Sequence, residues 1–128
     1  MNRLITEWID LAEEDYRSLE REFRVRRSPS YSVVCFHCQQ CVEKYMKAML
    51  VSLQIEPPRT HNLVSMLDMI VPFQPLWESD RLSFQELLPY SVRARYGGIV
   101  CTRDDAKSAV QCCRHLRKLI RNTMGLDS

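Results

Sequence analysis

The stretch CFHCQQCVEKYMKA, residues 35–48, holds two overlapping C-x-x-C pairs with a histidine between them. It reads either as a metal site or as one side of a helix, and the choice decides the fold. At roughly 100° per residue, with Cys35 at zero, Cys38 falls at about 300° and Cys41 at about 240°. On the same scale Val42, Tyr45, Met46, Met49 and Leu53 cover the arc from about 280° through zero to about 20°. The cysteines share this apolar face, whereas His37, at about 200°, points away with Lys44. A zinc knuckle needs its sulfurs to converge around a turn and a second ligand pair elsewhere, and no second C-x-x-C or H-x(3–5)-H exists. The segment is therefore read as a helix with core cysteines and no metal.

Neighbouring segments extend the helical pattern. Residues 3–26 carry Leu4, Trp8, Leu11, Ala12, Leu19 and Phe23 on one helical face. Ser28-Pro29 breaks that helix, and Ser28 or Ser30 caps the next, over about 29–54. Pro57 and Pro58 end it. Thr60 is the expected N-cap of a short third helix, HNLVSMLDMIV, closed by Pro72 and Pro75. Residues 79–96 form a less regular fourth, interrupted at Pro89, and Gly97-Gly98 marks a turn. Thr102 with Asp105 resembles a capping box for the last helix. Ala106, Ala109, Val110, Cys113, Leu116, Ile120 and Met124 form its apolar stripe, and Gly125 stands at its C-terminal cap. The fold class is all-α: an up-and-down four-helix bundle with an additional short helix and largely antiparallel neighbours, in one domain over 1–128.

Composition narrows the function classes. The 128 residues suit a single core, and 45% hydrophobic with 27% charged residues is a globular profile. Three glycines are too few for a Rossmann turn or a phosphate loop. No apolar run approaches the ~20 residues of a membrane helix. The N-terminus has early acids and no signal-peptide core, which predicts a cytoplasmic protein whose six cysteines are free thiols. A net charge of +2 implies no polyanionic partner by itself.

Asp15 lies on the apolar face of the first helix, four residues after Leu11. A buried carboxylate needs a partner. Either it solvates at the rim, or it meets a group on the second helix or the loop near His61.

Several elements together resemble the HEPN family, named for higher-eukaryote and prokaryote nucleotide-binding domains. The second helix carries Phe36, Gln39, Gln40, Glu43, Lys44, Lys47 and Ala48, similar to the family's F-x-x-Q-Q-x-x-E-K-x-x-K-A. Trp8, Ala12 and Asp15 precede it, and His61-Asn62-Leu63 and Arg93 to Tyr96 (RARY) follow. The resemblance covers nearly the whole chain. It implies a helical bundle, usually a homodimer, that binds a nucleotide such as ATP or pairs with a minimal nucleotidyltransferase, as in toxin–antitoxin systems. Many members cleave RNA with an Arg-x(4–6)-His motif. None of His37, His61 and His115 has an arginine at that spacing, and Arg114-His115 is adjacent. RNA cleavage of that kind is not expected, and no catalytic residue is assigned.

The ligand-binding candidates are Asp15, Gln40, Lys44, Lys47, His61, Arg93, Arg95 and Tyr96. The two arginines supply planar phosphate forks, and Tyr96 a stacking ring. Gln40, Glu43, Lys44 and Lys47 share one helical face, whose plainer reading is a solvated surface. His61 more simply closes its loop by a hydrogen bond. Arg24 to Arg27, with a second cluster at Arg114, Arg117, Lys118 and Arg121, leave weak RNA binding open. A nucleotide- or nucleotidyltransferase-binding module leads, with no cofactor. A non-catalytic dimerisation or structural domain follows, and a divergent RNase comes third.

Overall fold

The structure, a computed structural model, describes residues 1–91 and 100–126. The helices are α1 (Arg3–Arg24), α2 (Tyr31–Ser52), α3 (Leu63–Ile70), α4 (Arg81–Leu87) and α5 (Arg103–Thr123). Short 3-10 turns at Pro75–Asp80 and Leu88–Tyr90 flank α4, and the described residues contain no strand. Among the described residues the all-α bundle is thus three long helices with a pair of short ones between α2 and α5. Arg93, Arg95, Tyr96 and the Gly97-Gly98 turn lie outside the described residues.

Sequence-local chemistry sets the helix starts. Asn2 caps α1 by accepting from the Ile5 N–H at 2.9 Å, and Ser30 caps α2 through Val33. The cap of α3 is Asn62, not Thr60: Asn62 Oδ1 accepts from both Val64 and Ser65, whereas Thr60 Oγ1 accepts only from the Asn62 N–H. The Thr102–Asp105 capping box is present in both directions at α5.

Both α2 and α5 end in Schellman turns, in which two N–H groups beyond the helix return to carbonyls of its last turn. At α5 the turn residue is Gly125, with φ 74, and Leu126 N bonds Arg121 O at 2.9 Å. At α2 the equivalent residue is Gln54, with φ 62, and Ile55 N bonds Leu50 O at 2.9 Å. A side chain in this left-handed region costs about 1 kcal/mol, which glycine avoids. Gln54→Gly is expected to raise the unfolding free energy by about 1 kcal/mol, read as a higher urea midpoint at unchanged slope.

The centre of the bundle is α2. Thirteen of its 22 residues are buried, so little of its surface is left for solvent. It packs against α1, α3, α4 and α5. The pairs Trp8–Lys47 and Asp15–His37 make α1 antiparallel to α2. Contacts of Cys35 with Cys101, Cys38 with Cys113, and Tyr45 with Arg121 make α5 parallel to α2. The two short helices return the chain before α5 begins, so α5 runs in the direction of α2, as the second and last long helices of an up-and-down order do. Trp77 ties the turn before α4 to α5: its indole N–H donates to Thr123 Oγ1 at 3.1 Å, and its ring stacks on Phe84.

Cys35, Cys38 and Cys41 are fully buried free thiols, as the helical angles required. Burial pushes the Cys38 and Cys41 thiols well up, and both contact Cys113. The face of α1 differs from the expectation. Ile5, Ile9, Ala12 and Leu19 are buried, whereas Leu4 and Leu11 are exposed. Ala12 and Leu19 belong to both apolar arcs, so hydrophobicity alone does not choose between arcs one residue apart.

Candidate functional site

Among the described residues four polar or charged side chains are buried: Asp15, Gln39, Glu43 and Lys47. Burying a charge is costly without a partner, and here every one has partners. Asp15 Oδ2 accepts from Lys44 Nζ at 2.5 Å, and Oδ1 bonds His37 Nδ1 at 2.7 Å. The partner of Asp15 is thus on the second helix, one of the two places expected. His37, read as facing elsewhere, joins this pair. It lies on the same side of α2 as Lys44, and that shared angle is the signal for a common partner.

A second cluster lies beside the first. Glu43 Oε1 accepts from Gln39 Nε2 at 3.1 Å and meets His61 Nδ1 at 2.9 Å, while Oε2 accepts from Lys47 Nζ at 3.1 Å. Gln39 Nε2 also donates to the His61 carbonyl at 3.0 Å, and Gln40 Nε2 donates to Gln39 Oε1 at 2.7 Å. The solvated face expected for Gln40, Glu43, Lys44 and Lys47 is instead a polar seam. Glu43 and Lys47 are buried, and Gln40 and Lys44 are half-buried. The physical reason is the central position of α2, whose polar side is covered by α1 and the loop before α3. No buried side-chain nitrogen or oxygen among the described residues lacks a hydrogen bond.

The structure therefore brings five candidates together, Asp15, Gln40, Lys44, Lys47 and His61, along one edge of α2. Most of their polar atoms are committed within the chain. His61 is the most open: its side chain is 56% exposed, its Nδ1 is held by Glu43, and its Nε2 has no partner among the described residues.

Next to the seam is a cleft of about 380 Å³ lined by Leu4, Trp8, Lys47, Glu56, Pro57, Pro58 and Arg59. Its volume is at the lower end of the range for small-molecule sites, ~300–1,000 Å³. The Lys47 ammonium lies 5.4 Å from the centre of the Trp8 ring, a cation–π contact. Arg59 is exposed and has no partner among the described residues. Pro57 and Pro58, which end α2, form the wall on the loop side. Sequence reading misses Trp8 and Arg59 as site residues: Trp8 reads as core, and Arg59 stands alone in a proline loop.

A third polar group joins α5 to α1. Arg117 donates Nε and Nη2 to Glu13 at 2.8 and 2.7 Å, and the Tyr45 hydroxyl donates to Glu13 at 2.6 Å. Arg114 forks onto Glu20 in the same way. Burial alone would raise both carboxyls, but these arginines and their hydroxyl and guanidinium neighbours hold both below the ordinary 4.5. The folded chain then binds fewer protons than the unfolded one, so stability rises with pH through this window. This contribution is complete above pH 4.5 and is lost as pH falls below it, toward the depressed folded values. Thermal melts should show a falling midpoint in that acid range, with a shallower fall for Arg117→Gln.

A family model described as HEPN domain matches residues 5–123. No curated protein matches the chain. Among solved structures, the crystal structure of TT1696 from Thermus thermophilus matches with a TM-score of 0.81 at 18% sequence identity, covering 95% of this chain and 98% of that one. At that identity the likeness is one of fold.

Proposed function

The chain belongs to the HEPN domain family, and from that premise we propose that it is a binding module that takes a nucleotide in the cleft between Trp8 and Arg59. The observation that carries this reading is the lining of that cleft. A base needs a flat apolar surface, which Trp8 and the two prolines provide. A phosphate needs fixed cations, and Arg59 at the rim with Lys47 at the floor supplies them. The buried seam has a supporting part: Glu43 fixes Lys47 and the loop at His61, so the two walls are held before a ligand arrives.

The same reading makes the chain one half of a pair. The nucleotide is either free or carried by a nucleotidyltransferase, with this chain as its non-catalytic cytoplasmic partner, as in toxin–antitoxin pairs. A second reading, an RNA-cleaving enzyme, is favoured by one observation. His61 is oriented by Glu43 and keeps Nε2 open, the arrangement of a general base held by a carboxylate. The missing Arg-x(4–6)-His spacing weighs against it.

A thermal-shift series with ATP, GTP and a short single-stranded RNA separates these readings. The binding reading expects ATP or GTP to raise the melting temperature of the wild type, and Arg59→Ala to lose most of that rise. No shift from any nucleotide defeats it. The RNase reading expects cleavage of the RNA that disappears in His61→Ala.

A further inference from the structure

Two clefts open side by side at the end of the bundle where α1 finishes and α2 and α5 begin, with volumes of about 390 and 350 Å³. Both are lined by Phe23 and Arg103, so they run as one groove. The first is walled by the connection from α1 to α2, where Ser28 turns the chain at φ 49 and Arg26, Pro29 and Tyr31 line the space. The second follows the first turns of α5 past Lys107 and Val110 to Arg114. The side chains of Arg26, Arg103 and Lys107 are exposed and have no partner among the described residues. Arg114 is already held by Glu20 at 2.9 Å, and Asp104 is the one acid in either lining.

Helix stability does not account for these cations. Arg103 sits in the first turn of α5, where the helix dipole favours acids. Lys107 follows it by four residues, a like-charge spacing that disfavours the helix. Both are set against their own helix, and an anion brought from outside offsets that cost. The lining between the cations selects the kind of anion. Phe23 and Tyr31 are half-buried rings, and Val25, Pro29 and Val110 add aliphatic wall. Cations alternating with apolar surface match a chain whose carboxylates alternate with apolar side chains. Arginine forks take the carboxylates, and the Phe23 ring takes an apolar group. A nucleic-acid strand follows a continuous basic track. Here Glu20 neutralises Arg114, and Asp104 stands between Arg103 and Lys107.

We propose that this groove docks an acidic peptide segment of a partner protein, with an apolar side chain on Phe23 and carboxylates on Arg26, Arg103 and Lys107. The site lies roughly 22 Å along α1 from Trp8. It uses neither Trp8 nor Arg59, so it stands or falls apart from the nucleotide reading.

Fluorescence anisotropy with a labelled peptide of alternating glutamate and leucine tests the proposal. The wild type is expected to bind it saturably, and more weakly as salt rises. Arg103→Glu with Lys107→Glu is expected to weaken binding by about tenfold or more. This variant keeps its fold, because the new acids stand at the start of α5, where the dipole favours them; circular dichroism checks it. Arg17→Glu with Arg21→Glu makes the same change of charge at exposed positions outside the groove, and is expected to bind like the wild type. Replacing the peptide's glutamates by glutamine, or its leucines by serine, is expected to weaken binding severalfold. Four results would each overturn the proposal. They are no saturable binding, equal loss in the two charge variants, undiminished binding of either altered peptide, and tighter binding of an oligouridylate of equal charge.

Discussion

Glu43→Ala is expected to lower the unfolding free energy by about 3–5 kcal/mol, the cost of stranding one member of a buried charge pair. Glu43 is 3% exposed and is the hub for Gln39, Lys47 and His61. Without it the buried Lys47 ammonium keeps only the face of Trp8, and the loop at His61 loses its side-chain anchor. The effect belongs to the unpaired charge rather than to the lost pair. A Glu43→Leu, Lys47→Met double variant, which removes both charges and keeps apolar bulk, should therefore be more stable than Glu43→Ala. Urea unfolding with an unchanged slope reads both. Equal stability of Glu43→Ala and wild type would mean that the seam contributes nothing to the fold.

Asp15→Asn is the second large effect, about 2 kcal/mol, the range for hydrogen bonds to a charged group. The amide keeps the shape of the carboxylate but offers one acceptor where Lys44 and His37 now use two. The loss is smaller than for Glu43 because Lys44 and His37 keep 23% and 21% of their side-chain surface exposed, so both can turn to water. A variant that unfolds at the wild-type urea concentration would place Asp15 at a solvated rim. Both substitutions probe the same design: a central helix whose polar side is sealed by pairs reaching to α1 and to the loop before α3.

How much of this is legible in the sequence depends on whether the information is local. Caps are local, so Ser30, Thr102 with Asp105, and Gly125 can be read from residue order. Thr60 misleads for a reason that is also local: Asn62 stands nearer the helix and reaches two N–H groups. The cysteines of α2 are legible because their angles coincide with those of Val42, Tyr45 and Met46, and these side chains are fully buried together. The seam is not legible. Gln40, Glu43, Lys44 and Lys47 look like any solvated helix face until it is known that α2 is central. That fact comes from how α1 and the short helices wrap it. The motif residues behind the family resemblance thus turn out to be held mostly by one another, and the open cations belong to residues without a pattern, such as Arg59.

Nucleotide binding in the cleft beside α1, as proposed, can be read directly from the two tryptophans. Trp8 lines the cleft, whereas Trp77 is buried against Phe84 with its N–H on Thr123. An amide–nitrogen NMR spectrum shows two indole N–H signals, assigned by a Trp8→Phe variant. On titration with ATP, the Trp8 signal is expected to shift and saturate while the Trp77 signal stays in place, and Arg59→Ala should weaken that response. If neither indole signal moves, or if only Trp77 responds, the cleft is not a nucleotide site.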